Sequence, residues 1–322
     1  MSEVATRSAP LVRIPPLLRT VLHKIGWALA VLLVVASVSF ALVRISGDPL
    51  ALLLPPDADA DQYARLAAQL GLDRPLWQQY LEYLGGLLRG DLGTSVFYDQ
   101  PVATLIAERL PATALLALSS LALALLVALP AGIVAAVRRG SRTDSAISIA
   151  VLVGQSMPAF WIGIVLILLF AVTLRVLPAA GYGSLANLVL PAVTLSVYSL
   201  AVIARLLRTS LVEVLSADFI RTARAKGAGP RQVILGHALR NAALPVVTVI
   251  GLELGTLLGG AILTEQVFSW PGIGRLAIEA INNRDFPLVQ GAVLFFAVVF
   301  VLVNLVVDLS YSVLDPRVRP TR

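Results

Sequence analysis

Six stretches of this chain are each long and apolar enough to cross a lipid bilayer, which excludes nearly every soluble architecture. Crossing the roughly 30 Å hydrocarbon core takes about 20 mainly apolar residues in a helix. The stretches run near 25–45, 112–137, 146–173, 187–207, 241–264 and 288–312. Water is absent at that depth, so every backbone N–H and C=O must pair within its own segment, and the spans must be helices. The expected fold class is therefore all-α: a polytopic membrane protein of six transmembrane helices. The first run exceeds the 7–15 apolar residues typical of a secretory signal and is expected to remain as an anchor.

Charge sets the orientation, because short cytoplasmic loops retain arginine and lysine. Seventeen of the 25 basic residues fall before the first span, at 138–142, at 205–240 and in the tail; eight are spread over the longer segments between. Both termini are expected on the cytoplasmic side. The formal charge of +6 does not indicate nucleic acid, since the basic clusters adjoin apolar runs and carry no interleaved aromatics. The organisation expected is a cytoplasmic segment 1–24, the first transmembrane helix 25–45, an external segment 46–111, a five-helix core 112–312 containing a cytoplasmic loop 208–240, and a cytoplasmic tail 313–322. The external segment reads as two short helices, one near 59–70 closed by Gly71 and one from Pro75 to about Arg89, with Leu76, Tyr80, Leu84 and Leu87 as its packing stripe.

Several chemistries are excluded by residue type. With no cysteine, there is no thiolate site. His23 and His237 lie far apart in the sequence, which leaves no histidine-rich metal centre. A phosphate-binding loop needs Gly-Lys followed by Ser or Thr, but Lys24 precedes Ile25 and Lys226 precedes Gly227. No cofactor and no ATP site are expected on this chain. Neither HExxH nor a GxSxG elbow is present, so an intramembrane enzyme is disfavoured. No internal repeat with broken midplane helices suggests a secondary transporter, and no charged ring or filter loop suggests a channel; these stay as alternatives from another class.

The cytoplasmic loop is the most informative polar stretch. Ser210 to Lys226 places Leu211, Leu215, Phe219 and Ala223 at four-residue spacing with arginines elsewhere, which reads as one amphipathic helix. Gly227, Gly229 and Pro230 break it, and Arg231–Leu239 restarts a helix leading into the fifth span. A basic helix lying on anionic lipid is one reading; a docking element for a cytoplasmic partner is the other.

The stretch DFIRTARAKGAGPRQVILGHALRNAALP resembles the cytoplasmic loop of binding-protein-dependent ABC importer permeases, in the dipeptide, oligopeptide and nickel branch. The pattern of that family begins Glu-Ala-Ala with a glycine six residues after the first position; here Arg221, Thr222, Ala223 and Gly227 stand in those places. Arginine replaces the glutamate, a departure similar to others in this branch. GDLGTS at Gly90–Ser95, SMPAFWIG at Ser156–Gly163, LPAAGY at Leu177–Tyr182, VFSWPGIGRL at Val267–Leu276 and LDPRVR at Leu314–Arg319 are similar to it as well. The resemblance implies a type I ABC importer permease fold. It also implies that this chain forms half of a path for dipeptides or oligopeptides, with nickel chelate or glutathione as alternative cargo. The implied partners are a second homologous permease subunit, two cytoplasmic ATPase subunits and an external solute-binding protein. By the residue match, Asp218, Phe219, Arg221, Thr222, Ala223, Lys226 and Gly227 are the ATPase-coupling residues.

Polar residues inside spans are the remaining candidates, since an ionised carboxylate at mid-membrane costs on the order of 3 kcal/mol. Glu253 in the fifth span and Asn304 in the sixth are translocation-path candidates, with an interhelical packing role as the alternative for each. Asp308, one turn beyond Asn304, has the same two readings. Pro158 and Pro245 are expected to bend their spans. Gly251, Gly255, Gly259 and Gly260 have the spacing of a close helix contact, with the second permease as one partner for that face.

Overall fold

A computed structural model describes residues 16–45, 59–69 and 72–314. The described residues are overwhelmingly helical, with a single isolated antiparallel bridge, Thr94 to Pro101, as the extended pairing among them. In chain order the helices are α1 (Pro16–Ile45), α2 (Ala60–Gln69), α3 (Leu76–Leu88), α4 (Val102–Val137), α5 (Arg142–Ser156), α6 (Ala159–Leu166, continued as a π-helical stretch Ile167–Thr173) and α7 (Leu185–Leu215). They continue with α8 (Asp218–Ala225), a π-helical stretch Gln232–Ala238 running into α9 (Leu239–Gly260), α10 (Ile262–Val267), α11 (Ile273–Asn282) and α12 (Phe286–Leu314).

Five of these reach membrane-spanning length and apolarity: α1, α4, α7, the continuous 232–259 helix and α12. The third apolar stretch is not the continuous helix its composition suggests. α5 and α6 meet at an angle of 101°, and the pair counts as a sixth span only if both arms are taken together. The cause is local: proline disfavours helical geometry in the residue before it, and Met157 is extended at φ −88, ψ 133. The fifth span also stops at Gly260, earlier than the apolar run to 264, because the helix breaks at Ala261 before α10 begins.

α7 is the most buried of the spans and α1 the least. A central core joins α4, α7 and α9 through Leu116, Leu121, Ile203, Leu207, Val246 and Leu257. A second cluster at one end joins Val102, Leu105 and Ile106 to Ile273, Leu276 and Leu288; a third, at the other end, joins Ala136, Leu211, Ile220, Val233 and Ala242. The Gly251 and Gly255 face packs within the chain: a Cβ on Gly255 would lie 3.1 Å from Val303 Cγ1 of α12, and one on Gly251 would collide with Val307.

The two short helices between α1 and α4 form as their sequences indicate. Asp59 and Gln62 make a reciprocal capping box at the start of α2, Gln62 N donating to Asp59 Oδ1 at 2.7 Å and Asp59 N to Gln62 Oε1 at 3.3 Å. α3 packs on α1 through Tyr80 and Tyr83, whereas Leu76, expected in that stripe, is exposed. Gly71, the side chain of Asp308 and the tail from 315 lie outside the described residues.

Candidate coupling site

The expected helix from Ser210 to Lys226 is two helices. α7 runs on to Leu215, where Ser216 N donates to Glu213 O at 3.1 Å and Ala217 N to Val214 O at 3.1 Å, closing a tight turn before α8 begins. The break rotates the pattern. Phe219, expected on the buried stripe, is exposed, and Ile220 is fully buried against Leu211, Val233 and Ala238. One apolar side chain thus roots a helix of eight residues, too short to be stable on its own.

The remaining candidates gather on the outer surface. Asp218, Phe219, Arg221 and Thr222 are exposed, Ala223 is half-buried, and Lys226 and Gly227 are exposed at the end of the helix. Asp218 pairs with Arg221 one turn on, and Thr222 Oγ1 donates to Asp218 O at 3.2 Å. The helix ends in a complete Schellman motif: Gly227 N donates to Arg224 O at 3.0 Å and Ala228 N to Ala223 O at 3.1 Å. Gly227 has φ +87 with nothing within 4 Å of the place a Cβ would take. Its requirement is therefore conformational and not steric. With Arg221, Arg224 and Lys226 against Asp218, the exposed surface is cationic.

A feature the sequence reading missed braces this end. Asp144, almost fully buried in the first turn of α5, accepts two bonds from the guanidinium of Arg208 on α7: Nε to Oδ1 at 2.6 Å and Nη2 to Oδ2 at 2.8 Å. Gly140 N adds a third, to Oδ2 at 2.9 Å, and Ser141 Oγ caps the helix by accepting from Asp144 N at 3.3 Å. This fork-to-fork geometry ties the α4–α5 turn to the helix that leads into α8. Arg208 was visible in sequence only as one of a run of basic residues.

The path candidates lie elsewhere. Glu253 is buried on α9 and accepts from Ser199 Oγ of α7 at 2.6 Å through Oε2. Asn304 is half-buried on α12. Neither approaches α8, so the candidate residues form a cytoplasmic group and separate positions within the spans.

The end opposite α8 holds a second buried node, also unforeseen, in the Trp-Pro-Gly-Ile-Gly stretch. Glu265, with no exposed surface, accepts from Thr113 Oγ1 of α4 at 2.7 Å, from Arg275 N at 3.0 Å and from Gly274 N; Thr113 Oγ1 in turn accepts from Ile273 N at 2.9 Å. A carboxylate and a hydroxyl from distant parts of the chain thus satisfy the unpaired N–H groups at the start of α11. Burial pushes the Glu265 carboxyl above the usual carboxylate range, against the pull of those three bonds. Trp270 Nε1 donates to Ala112 O at 2.9 Å, fixing the same loop to α4. Asp285, also buried, accepts from Leu288 N at 3.2 Å, Phe97 N at 3.2 Å and Ser95 Oγ, which holds the 95–101 loop on the start of α12.

The chain is similar to known proteins along nearly its whole length. Residues 128–320 match the family described as binding-protein-dependent transport system inner membrane component, and residues 17–119 match its N-terminal component. The chain is 43% identical to a dipeptide transport system permease protein of Escherichia coli K12, over 94% of this chain and 99% of that one. It is 40% identical to a di/tripeptide transport system permease protein of Pseudomonas aeruginosa, over 95% and 100%. It is 42% identical to a glutathione transport system permease protein of Escherichia coli O6:H1, over 94% and 99%. The fold is similar to a chain of the MetNI methionine ABC transporter in an inward-facing conformation, with a TM-score of 0.56 at 21% identity, over 66% of this chain and 96% of that one.

Proposed function

Because this chain belongs to the family of binding-protein-dependent transport system inner membrane components, we propose that it is one of two permease subunits of an ATP-driven importer of short peptides. Similarity to dipeptide, di/tripeptide and glutathione permeases along nearly the whole chain supports a peptide-like cargo. Hydrolysis belongs to two separate cytoplasmic ATPase subunits, since this chain has no phosphate-binding loop. The second permease is a related, distinct chain, and an external solute-binding protein delivers the cargo. The excess of arginine and lysine around α8 and before α1 supports an orientation with both termini cytoplasmic.

The observation that carries the coupling role is the seating of α8. A short cationic helix, rooted by Ile220 alone and stopped by Gly227, presents Asp218, Phe219, Arg221, Thr222 and Lys226 outward. A groove on an ATPase subunit that receives this helix moves α7 and the 232–259 helix together, because α8 lies between them in the chain. That is a two-state element which ATP on one side and solute on the other can both bias. Glu253 and Asn304 are the path candidates. The Ser199 bond to Glu253 also supports a tie between α7 and α9.

Reconstitution with the ATPase, second permease and binding protein in proteoliposomes tests the reading. Dipeptide-stimulated ATP hydrolysis that requires the binding protein is the expected result, with glutathione and a nickel chelate compared in parallel. Solute movement by this chain alone, without ATP, would overturn the reading in favour of a carrier or channel.

A further inference from the structure

Helix α3 follows the first span in the sequence and reads there as an external helix with a packing stripe. The structure shows what that stripe meets. Tyr80 of α3 shares a hydrogen bond of 2.6 Å with Ser37 of α1, and the rings of Tyr80 and Tyr83 lie 5.4 and 5.5 Å from that of Phe40. Ser37 precedes the end of α1 at Ile45 by eight residues, roughly 12 Å along the helix axis. The apolar span of α1 is Val21–Ile45, so α3 rests against a part of α1 that is itself at membrane depth.

The face of α1 that carries α3 continues along the span as exposed apolar side chains. Leu29, Leu33, Ser37, Phe40 and Arg44 succeed one another at three- and four-residue intervals and so share one face. Leu29 and Leu33, on the part of this face below α3, are exposed apolar side chains on a membrane span.

Around α3 itself, side chains sort into three sectors at about 100° per residue. Tyr80 and Tyr83 turn toward α1, and Gln79 and Leu87 beside them are buried or half-buried, the Gln79 amide donating to Leu72 O and Arg74 O of the preceding turn. Gln78 and Glu82 form a polar sector in which Glu82 pairs with Arg74 and accepts from Gln78 Nε2 at 3.4 Å. Between these lie Trp77, Leu81, Leu84 and Leu88. Trp77, Leu81 and Leu88 are 65%, 58% and 90% exposed, a large apolar area for a helix surrounded by water.

We propose that α3 is an interfacial helix lying in the bilayer surface, with Trp77, Leu81 and Leu88 in the acyl-chain boundary, Gln78 and Glu82 toward water, and Tyr80 and Tyr83 on α1. The occupant of the apolar sector is phospholipid. Three sectors facing protein, lipid and water in turn are what a helix at that boundary requires, and tryptophan and tyrosine are the aromatic residues that favour this depth. The inference does not depend on which solute the assembly carries.

The full chain contains no cysteine, so single cysteines report cleanly. Nitroxide labels are placed at Trp77→Cys, Leu81→Cys, Leu88→Cys, Gln78→Cys and Glu82→Cys in the assembled transporter, with cysteine-free partner subunits, in phospholipid vesicles. Collision with oxygen, which concentrates in lipid, is compared with collision with a water-soluble nickel chelate. Labels at 77, 81 and 88 are expected to respond to oxygen, and those at 78 and 82 to the nickel chelate. All five are exposed or half-exposed positions that tolerate the label. Two outcomes would overturn the proposal: shielding of 77, 81 and 88 from both reagents, which means a protein partner covers them, or a nickel response equal to that at 78 and 82, which means α3 stands in water.

Discussion

Replacing Gly272 with alanine adds one methyl group at the entrance to α11, and the structure sets how much that methyl must disturb. Gly272 has φ −97 and ψ −179, extended backbone that any residue adopts, so the substitution carries no conformational penalty. The Cβ, however, falls inside the carboxyl group of Glu265, overlapping Oε1 and Cδ. That carboxyl is fully buried and held from behind by Thr113, so it has to leave. Its departure strands the Thr113 hydroxyl and the N–H groups of Gly274 and Arg275. At about 1–3 kcal/mol for each buried polar group left unpaired, the expected loss is roughly 3–9 kcal/mol, above the usual range of about 0.5–3 kcal/mol for a point change. Glu265→Ala strands the same groups, so in that background Gly272→Ala should add little. The assay is the fraction of monodisperse protein remaining after graded heating in detergent, measured for both single variants and the double. A Gly272→Ala protein that melts with the wild type, or losses that simply add in the double variant, would refute the reasoning.

At Gly227 the logic is reversed, since φ is +87 and the space is open: alanine and especially valine are expected to weaken solute-stimulated ATPase activity by a backbone strain of about 1–2 kcal/mol, while asparagine, which tolerates this geometry, retains more activity at equal expression. Gly227→Asp is expected to leave the protein in the membrane with ATP hydrolysis uncoupled from uptake. Asp144→Ala strands the guanidinium of Arg208 and should destabilise the assembly, and the Asp144→Arg/Arg208→Asp exchange is expected to recover part of that loss in the same heating assay. Glu253→Gln keeps an acceptor for Ser199 and should retain most uptake, whereas Glu253→Leu should lose it; an altered solute preference in the glutamine variant would place Glu253 on the path. The raised Glu265 carboxyl makes the folded chain bind a proton more readily than the unfolded one. Its contribution is present at acid pH and declines as pH rises through the raised value, a slope that Glu265→Gln should remove from the pH dependence of stability.

Span positions were readable from sequence because their information is one-dimensional: twenty apolar residues have few options in lipid. The elbow at Met157 was half-readable, since Pro158 marks the break but nothing in the sequence fixes its angle. The loop failed in an instructive way. Leu211, Leu215, Phe219 and Ala223 fit one helix, and only the Ser216–Ala217 turn, which has no strong breaker, moves burial from Phe219 to Ile220. Gly227 was legible because its left-handed turn is a local property. The Asp144–Arg208 pair and the Glu265 node were not, because each joins residues 64 or more positions apart and depends on distances that composition does not encode.

From Pro191 to Leu215, α7 is one unbroken helix of 25 residues, about 37 Å long, and only the Ser216–Ala217 turn separates its end from α8. Such a rod is a lever. A tilt of about 5° about its far end swings Leu215 through roughly 3 Å, so a small push at α8 corresponds to a small angle deep among the spans. Arg208 is fastened to Asp144 seven residues short of the lever's tip, and the α4–α5 turn is therefore carried on the same arm.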